Sequence, residues 1–227
     1  MIIGRGVLAN AFKNSADRDY SRIIFASGVS NSLETKECEF ERESDLLHRY
    51  LEYDSPLVYF STCSLYYNES TLTPYMAHKL ELEKLVLSYP ENYVFRLSQV
   101  VGSGGNPATI ANYLHQKILS GEHFLANRNT FRNLIDVDDC VKICGGIISD
   151  SNLSPGSYSV KNSYDIEIVH LIGVFEEVLN KKANYSMTVE GSNFMHESRF
   201  SDLAAECLAI NFGDKYVKRT IEKYYAK

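Results

Sequence analysis

STCSLYYNESTLTPYMAHKLELEK, Ser61 to Lys84, decides how the rest of the chain is read. The run before it, Pro56-Leu57-Val58-Tyr59-Phe60, is short, apolar and rich in β-branched and aromatic side chains, which predicts a buried strand delivering Ser61 and Thr62 to its carboxyl end. In parallel sheets, ligands bind at that end. A polar loop follows (Asn68-Glu69-Ser70-Thr71), and Thr73-Pro74 then marks a helix start, because proline is tolerated in a first turn. The helix is predicted over Tyr75 to Leu87, so Tyr75 and Lys79 share one face. A phenol beside an ammonium is expected to titrate below its unperturbed value of about 10 and to shuttle protons near neutral pH. Thr62 is placed to hydrogen-bond the same substrate oxygen, and Lys79 to hold a cofactor ribose. Tyrosine and lysine one turn apart are also common on solvated helices, so the pair gains meaning only from its surroundings.

Those surroundings are a strand, Ser-Thr-x-x-Leu-Tyr, a polar loop, Pro-Tyr-x-x-x-Lys and an amphipathic helix. In that order they resemble the extended short-chain dehydrogenase/reductases, the nucleotide-sugar epimerases, dehydratases and reductases. The resemblance implies a catalytic trio of Thr62, Tyr75 and Lys79. It also implies a Rossmann-like α/β fold, a doubly wound parallel sheet with a small C-terminal substrate-binding lobe.

Composition agrees with such a chain. At 227 residues it is long enough to bury one sizeable core with an appendage. The expected division is a core over residues 1–105 carrying the trio, then remaining core elements and the lobe over 106–227. A net charge of -6 argues against a broad nucleic-acid or anionic-membrane surface. No apolar run is long enough to span a membrane, and Met1-Ile2-Ile3-Gly4 lacks the pattern of a signal peptide, so a cytoplasmic location is expected. Five cysteines (Cys38, Cys63, Cys140, Cys144, Cys207) form no Cys-x-x-Cys pair and read as reduced thiols. Cys140 and Cys144 share a helical face, but nothing completes a ligand set, so apolar packing is expected and no metal.

The N-terminus compresses a strand, a glycine turn and a helix start into MIIGRGVLANAF, where Gly4-x-Gly6-x-x-Ala9 fits the dinucleotide fingerprint. Such a turn brings backbone N–H groups to a pyrophosphate. Arg5 inside it inclines the cofactor from NAD toward NADP, because a guanidinium can pair with a 2′-phosphate. By about Asn14 this helix ends, and Arg22-Ile23-Ile24-Phe25-Ala26-Ser27-Gly28, which resembles the family's fourth strand, follows almost at once. No room remains for the second strand, its ribose-binding acid and the third strand; Asp17 and Asp19 come too early to replace that acid. The resemblance puts Ser27 and Gly28 beside the pyrophosphate and nicotinamide. Leu46, Leu47, Tyr50 and Leu51 recur at helical spacing, which predicts an amphipathic helix over Glu41 to Tyr53, with His48 solvated.

Downstream, Tyr93 to Leu97 reads as another buried strand, and Arg96-x-x-Gln99-x-x-Gly102 resembles the family's Arg-x-x-Asn-x-x-Gly with glutamine replacing a substrate-contacting asparagine. Asn106-Pro107 predicts a helix through about Leu119, closed by Ser120-Gly121. Arg132-Asn-Leu-Ile-Asp-Val-Asp138-Asp139 resembles the family motif whose arginine grips the substrate diphosphate, so Arg132 is assigned to nucleotide binding and Asp138 and Asp139 to a helix cap. Gly156-Ser157-Tyr158-Ser159-Val160, a helix over Ile166 to Leu179 and terminal helices around Leu203 to Leu208 and Tyr216 to Tyr225 resemble the family's small substrate-binding lobe.

Cys63-Ser64 stands where family dehydratases carry Asp-Glu, which argues against 4,6-dehydration. The leading expectation is therefore NAD(P)-dependent reduction of a nucleotide-linked keto-sugar, with Tyr75 donating the proton. Its alternatives are a nucleotide-sugar epimerase with retained NAD, in which Cys63 reads as a buried inert thiol, and a non-catalytic sugar-nucleotide-binding protein. A homodimer is expected through the Tyr75–Lys79 helix and the one before it, with Met76, Leu80 and Leu87 as apolar contacts.

Overall fold

The computed structural model describes residues 1–15, 21–66, 72–188, 206 and 208–226. Asp17, Asp19, the loop Asn68 to Thr71, Cys207 and most of the helix expected around Leu203 to Leu208 lie outside the described residues. A five-stranded sheet forms the centre: β1 (Ile2–Ile3), β2 (Ile23–Phe25), β3 (Leu57–Thr62), β4 (Tyr93–Leu97) and β9 (Ser157–Val160), side by side in that order. Every pairing is parallel, with Ile24 opposite Ile2 and Val58, and Phe60 opposite Phe95. Parallel strands need both faces covered, and β3 is accordingly buried along its whole length.

Alternation along the strands divides the core. Ile24, Val58, Phe60 and Phe95 face one side, where α1 (Val7–Asn14) contributes Phe12 and α5 (Val137–Ser149) contributes Cys140, Ile143, Cys144 and Ile147. Ile23, Phe25, Tyr59 and Val94 face the other, against Leu47 of α2 (Glu37–Leu51) and Leu82 and Val86 of α3 (Pro74–Leu87). The two thiols of α5 are thus apolar packing, as their spacing predicts. β1 forms one edge of the sheet, directly beside β2. The shortened N-terminal half read from the sequence is therefore real: the chain passes from the glycine turn to β2 with no intervening strand among the described residues.

The lobe is built from short pairings beyond that sheet. β5 (Gln99–Val101) runs parallel to β8 (Leu134–Asp136), and β7 (Phe131–Arg132) pairs antiparallel with β10 (Ile166–Glu167). β6 (Phe124–Asn127) pairs with β11 (Tyr185–Thr188). Helices α4 (Ile110–Ser120), α6 (Ile168–Leu179) and α7 (Tyr216–Tyr225) cover them. Asn133 ties lobe to sheet: its amide nitrogen donates to Asn162 O at 2.8 Å and to Asp165 Oδ1 at 2.7 Å, and its oxygen accepts from Asn162 N at 3.0 Å.

Several boundaries differ from the sequence reading. α2 starts at Glu37 rather than Glu41, since Glu37 and Glu39 suit the positive end of a helix. Pro107 does not open α4. Asn106 instead closes an Asx turn onto Ala108 N, and the helix begins at Ile110 after Thr109. Asp136, not Asp138 or Asp139, caps α5, because its backbone is still extended and its carboxylate accepts Asp138 N at 2.8 Å. Met76 is turned inward against Val29, Leu65 and Tyr75 and is 6% exposed, so it offers no surface to a partner.

Gly4 is the position where the turn admits only glycine: φ is +127°, and a Cβ would stand 2.2 Å from Ala26 O. Gly4→Ala is expected to destabilise the chain by more than about 1 kcal/mol and to lower its melting temperature, checked by calorimetry beside Gly6→Ala, where a Cβ meets nothing within 4 Å.

Candidate active site

β3 ends in Thr62, and the chain turns at once through a single 3₁₀ turn, Cys63–Tyr66. Thr62 Oγ1 accepts Ser64 N at 3.1 Å and donates to Ser64 Oγ at 3.0 Å, which fixes its rotamer. Across the loop, Thr73 caps α3 by accepting Met76 N at 3.2 Å, and Pro74 occupies the first turn, so Tyr75 is held at the helix start beside β3. The cap is the one the sequence predicts.

Burial raises the Tyr75 phenol above its ordinary value; Lys79 and the Thr62 hydroxyl pull it down, Glu43 pushes it further up, and the net shift is upward. The expectation of a depressed phenol is thereby corrected. It weighed the ammonium but neither the burial of Tyr75, 7% exposed, nor the carboxylate beyond Lys79.

Lys79 is 2% exposed, and its Nζ lies 5.9 Å from the centre of the Tyr75 ring. The ammonium is turned into the interior, 2.8 Å from Glu43 Oε1, 3.2 Å from the Tyr59 hydroxyl and 3.4 Å from Phe60 O. Glu43 is fully buried. It also accepts from Tyr59 at 2.8 Å and Val29 N at 2.7 Å, and its Oε2 lies 3.1 Å from His78 Nε2. Burial pushes this carboxyl up, but the Lys79 charge and the bonds from His78, Lys79 and Val29 together hold it at about 2.

Glu43 is the residue sequence reasoning missed, hidden among the charges of Glu41-Arg42-Glu43-Ser44-Asp45. Its signal was positional: it precedes Leu47 by one turn and Tyr50 by two, which puts a carboxylate on the apolar face of α2.

Cys63 is buried, donates to Arg96 O at 3.1 Å and has its thiol pushed up to about 12 by burial, in line with an inert thiol. Arg96 grips the buried Glu83 through contacts of 2.7 to 3.1 Å and stacks on Tyr66, so its charge is used within the fold.

Four buried side-chain atoms among the described residues have no hydrogen-bond partner: Ser61 Oγ, Ser98 Oγ, Gln99 Oε1 and Asn162 Nδ2. They follow or end β3, β4 and β9, all at the carboxyl edge of the sheet. Unpaired buried polar atoms are costly, so these four are groups at that edge with hydrogen-bonding capacity left over. Gln99 opens β5, two residues beyond the end of β4. Gly4, Arg5 and Gly6 form the turn between β1 and α1, with Arg5 exposed, and Ser27 and Gly28 follow β2. Arg132 stands on β7 in the lobe, half-buried, with one guanidinium nitrogen donating to Phe131 O at 2.9 Å. Among the described residues no group of three or more His, Cys, Asp or Glu side chains is placed to hold a metal, and no helix is long and apolar enough to cross a membrane.

The family model described as "NAD dependent epimerase/dehydratase family" matches residues 25–160, from the last residue of β2 to the end of β9, and includes Thr62, Tyr75 and Lys79. The chain belongs to the NAD-dependent epimerase/dehydratase family. Solved structures share this family member's fold. MoeE5 in complex with UDP-glucose and NAD superposes with a TM-score of 0.72 at 16% identity, over 97% of this chain and 84% of that one. UDP-glucuronic acid 4-epimerase from Bacillus cereus, in complex with UDP-glucuronic acid and NAD, gives 0.68 at 14% identity over 94% and 78%. RMD from Pseudomonas aeruginosa complexed with NADPH gives 0.64 at 14% over 89% and 78%. Comparison with curated proteins returned no match.

The keto-sugar reductase expected from the sequence is corrected by these findings. The matching family is one of epimerases and dehydratases, and an epimerase stands among the similar structures. The reductase reading rested on Cys63-Ser64 in place of the dehydratases' Asp-Glu, which speaks against dehydration but does not separate reduction from epimerisation.

Proposed function

We propose that this chain is a nucleotide-sugar epimerase that uses NAD without consuming it. The observation carrying this reading is the joint placement of Thr62 and Tyr75 at the carboxyl end of β3, amid unpaired polar atoms, in a chain of this family. The similar 4-epimerases make C4 of a UDP-linked hexose the first carbon to test.

The residues fit the cofactor's pyrophosphate half. Gly6 leaves open space at the start of α1, whose first N–H groups have no side-chain cap, and Lys13 Nζ reaches Gly4 O at 2.9 Å, adding positive charge at the turn. They fit the adenosine half less well, because β1 is the sheet edge and the described residues supply no second-strand acid for the ribose. We therefore assign weak discrimination between NAD and NADP, tuned by Arg5.

When bound, NAD would accept a hydride from the sugar carbon and return it, and its cationic ring would favour the phenolate. Tyr75 takes the proton of the reacting hydroxyl as that carbon becomes a ketone, then gives it back after the sugar has presented its other face. Thr62 hydrogen-bonds the same oxygen and holds it against Tyr75 in both steps. Ser61, Ser98, Gln99 and Asn162 offer donors and acceptors to the remaining hydroxyls. Arg132, by resemblance, takes the diphosphate.

Arg132→Ala is expected to weaken UDP-sugar binding roughly tenfold to hundredfold, the worth of a lost charge-assisted hydrogen bond. Arg132→Lys should also weaken it, since a point charge does not reproduce the guanidinium fork. Isothermal calorimetry showing native affinity for Arg132→Ala would remove this residue from the site. The proposed activity itself is checked by incubating the protein with UDP-glucose or UDP-glucuronic acid and NAD and resolving the C4 epimers by chromatography. An unchanged sugar that nevertheless binds would identify a binding protein instead.

A further inference from the structure

An ammonium has three N–H donors, and Lys79 places all three within the fold, on Glu43, Tyr59 and Phe60. Glu43 is equally saturated. Its Oε1 takes Lys79 and Tyr59, while its Oε2 takes Val29 N and faces His78, four partners drawn from α3, β3 and the loop after β2. The lid over this pair is Gly28, part of the loop that borders the cofactor side. A Cβ at Gly28 would stand 2.7 Å from both Glu43 Oε1 and Lys79 Nζ, so backbone lies directly on the ion pair and closes it from above. His78 seals the outer side, its ring tilted against Phe40 with ring centres 4.7 Å apart.

We propose, resting on the epimerase reading, that Glu43 is a positioning residue that takes up Lys79 completely, so that the ammonium acts on Tyr75 through its charge alone and has no donor left for a cofactor ribose. Glu43 then sets how much of that charge Tyr75 feels. The groups facing the phenol are Lys79 on its own helix, Glu43 from α2, and Thr62 and Tyr59 from β3. Removing the carboxylate while leaving the others exposes Tyr75 to an unbalanced cation. A purely structural Glu43 would change stability and leave the phenol where it is.

The test reads the phenol directly. The protein is labelled with ¹³Cζ-tyrosine and titrated by NMR, with Tyr75 assigned by its disappearance in Tyr75→Phe. In Glu43→Gln, which keeps the shape and loses the charge, Tyr75 is expected to titrate lower by on the order of one pH unit. An unmoved Tyr75 in a folded Glu43→Gln overturns the proposal. The second arm titrates NADH fluorescence against the double variant Glu43→Gln/Lys79→Met, in which both buried charges are gone and folding is favoured over either single loss. NADH affinity within about threefold of native (under 1 kcal/mol) is expected if Lys79 holds no ribose, and a larger loss overturns that. If Glu43→Gln does not fold, the double variant decides alone. Neither arm needs turnover: failure to epimerise would sink the functional reading and leave the tyrosine titration standing.

Discussion

Tyr75→Phe is expected to fold, and to bind nucleotide sugar, as the native chain does, while losing about 10²- to 10⁴-fold in turnover, the usual worth of a general acid–base group. The ring makes the packing contacts, against Val29, Leu65 and Met76, and phenylalanine retains them. Only the transferable proton is lost. Thr62 remains to hydrogen-bond the substrate oxygen but is too weak an acid or base to replace the phenol, so the residual rate should lose the pH dependence that Tyr75 imposes. Steady-state rates and calorimetric affinities measured on the same preparations separate the two effects. Native turnover in the Phe variant would remove Tyr75 from the chemistry, and lost affinity with an unchanged rate would make it a binding residue.

Lys79→Met is expected to be the most destabilising single change near the site, by about 3–5 kcal/mol, because it leaves a buried carboxylate without its cation. The pH dependence carries the signature. In the native chain the Glu43 carboxyl is held at about 2, below an unfolded value of about 4.3. Its stabilisation is therefore present above the unfolded value and fades as pH falls through about 2. Without Lys79, burial, the largest influence on this carboxyl, pushes it up. A folded value raised above the unfolded one favours the fold in acid and loses that benefit as pH rises. Urea melts at pH 5 and pH 8 should then show the native and variant chains closer together at the lower pH. A gap of constant size would mean that Glu43 is not the group left behind.

How far the sequence carried this account differs from element to element. β3 and β4 were legible because parallel strands covered on both faces must be apolar runs, whereas the half-polar Ser157–Val160, assigned to the lobe, lies in the central sheet beside β4 as β9. The start of α3 and the end of α4 were legible because Thr73-Pro74 and Gly121 have one local meaning each. Thr62, Tyr75 and Lys79 were legible from their order. Their electrostatics were not, because the state of Tyr75 depends on Glu43, 32 positions earlier, brought close only by packing α2 against α3. The cap of α5 was misplaced by two residues since three aspartates compete there and backbone conformation alone decides. The pairing of Arg96 with Glu83 was likewise invisible: a strand arginine and a helix glutamate meet only once β4 and α3 are packed. The choice of reaction failed because Cys63-Ser64 excludes the dehydratases' acid pair without separating reduction from epimerisation, which share Thr62 and Tyr75.

The central claim is that the chain inverts a sugar carbon without net redox change, and one measurement addresses it: UDP-glucose or UDP-glucuronic acid in large excess over NAD, followed by ¹H NMR of the anomeric signals and absorbance at 340 nm together. The account predicts that the C4 epimer accumulates toward equilibrium over many turnovers per NAD, with no steady change at 340 nm. An absorbance that changes in proportion to the sugar converted, or no epimer under conditions where the sugar binds, would contradict it.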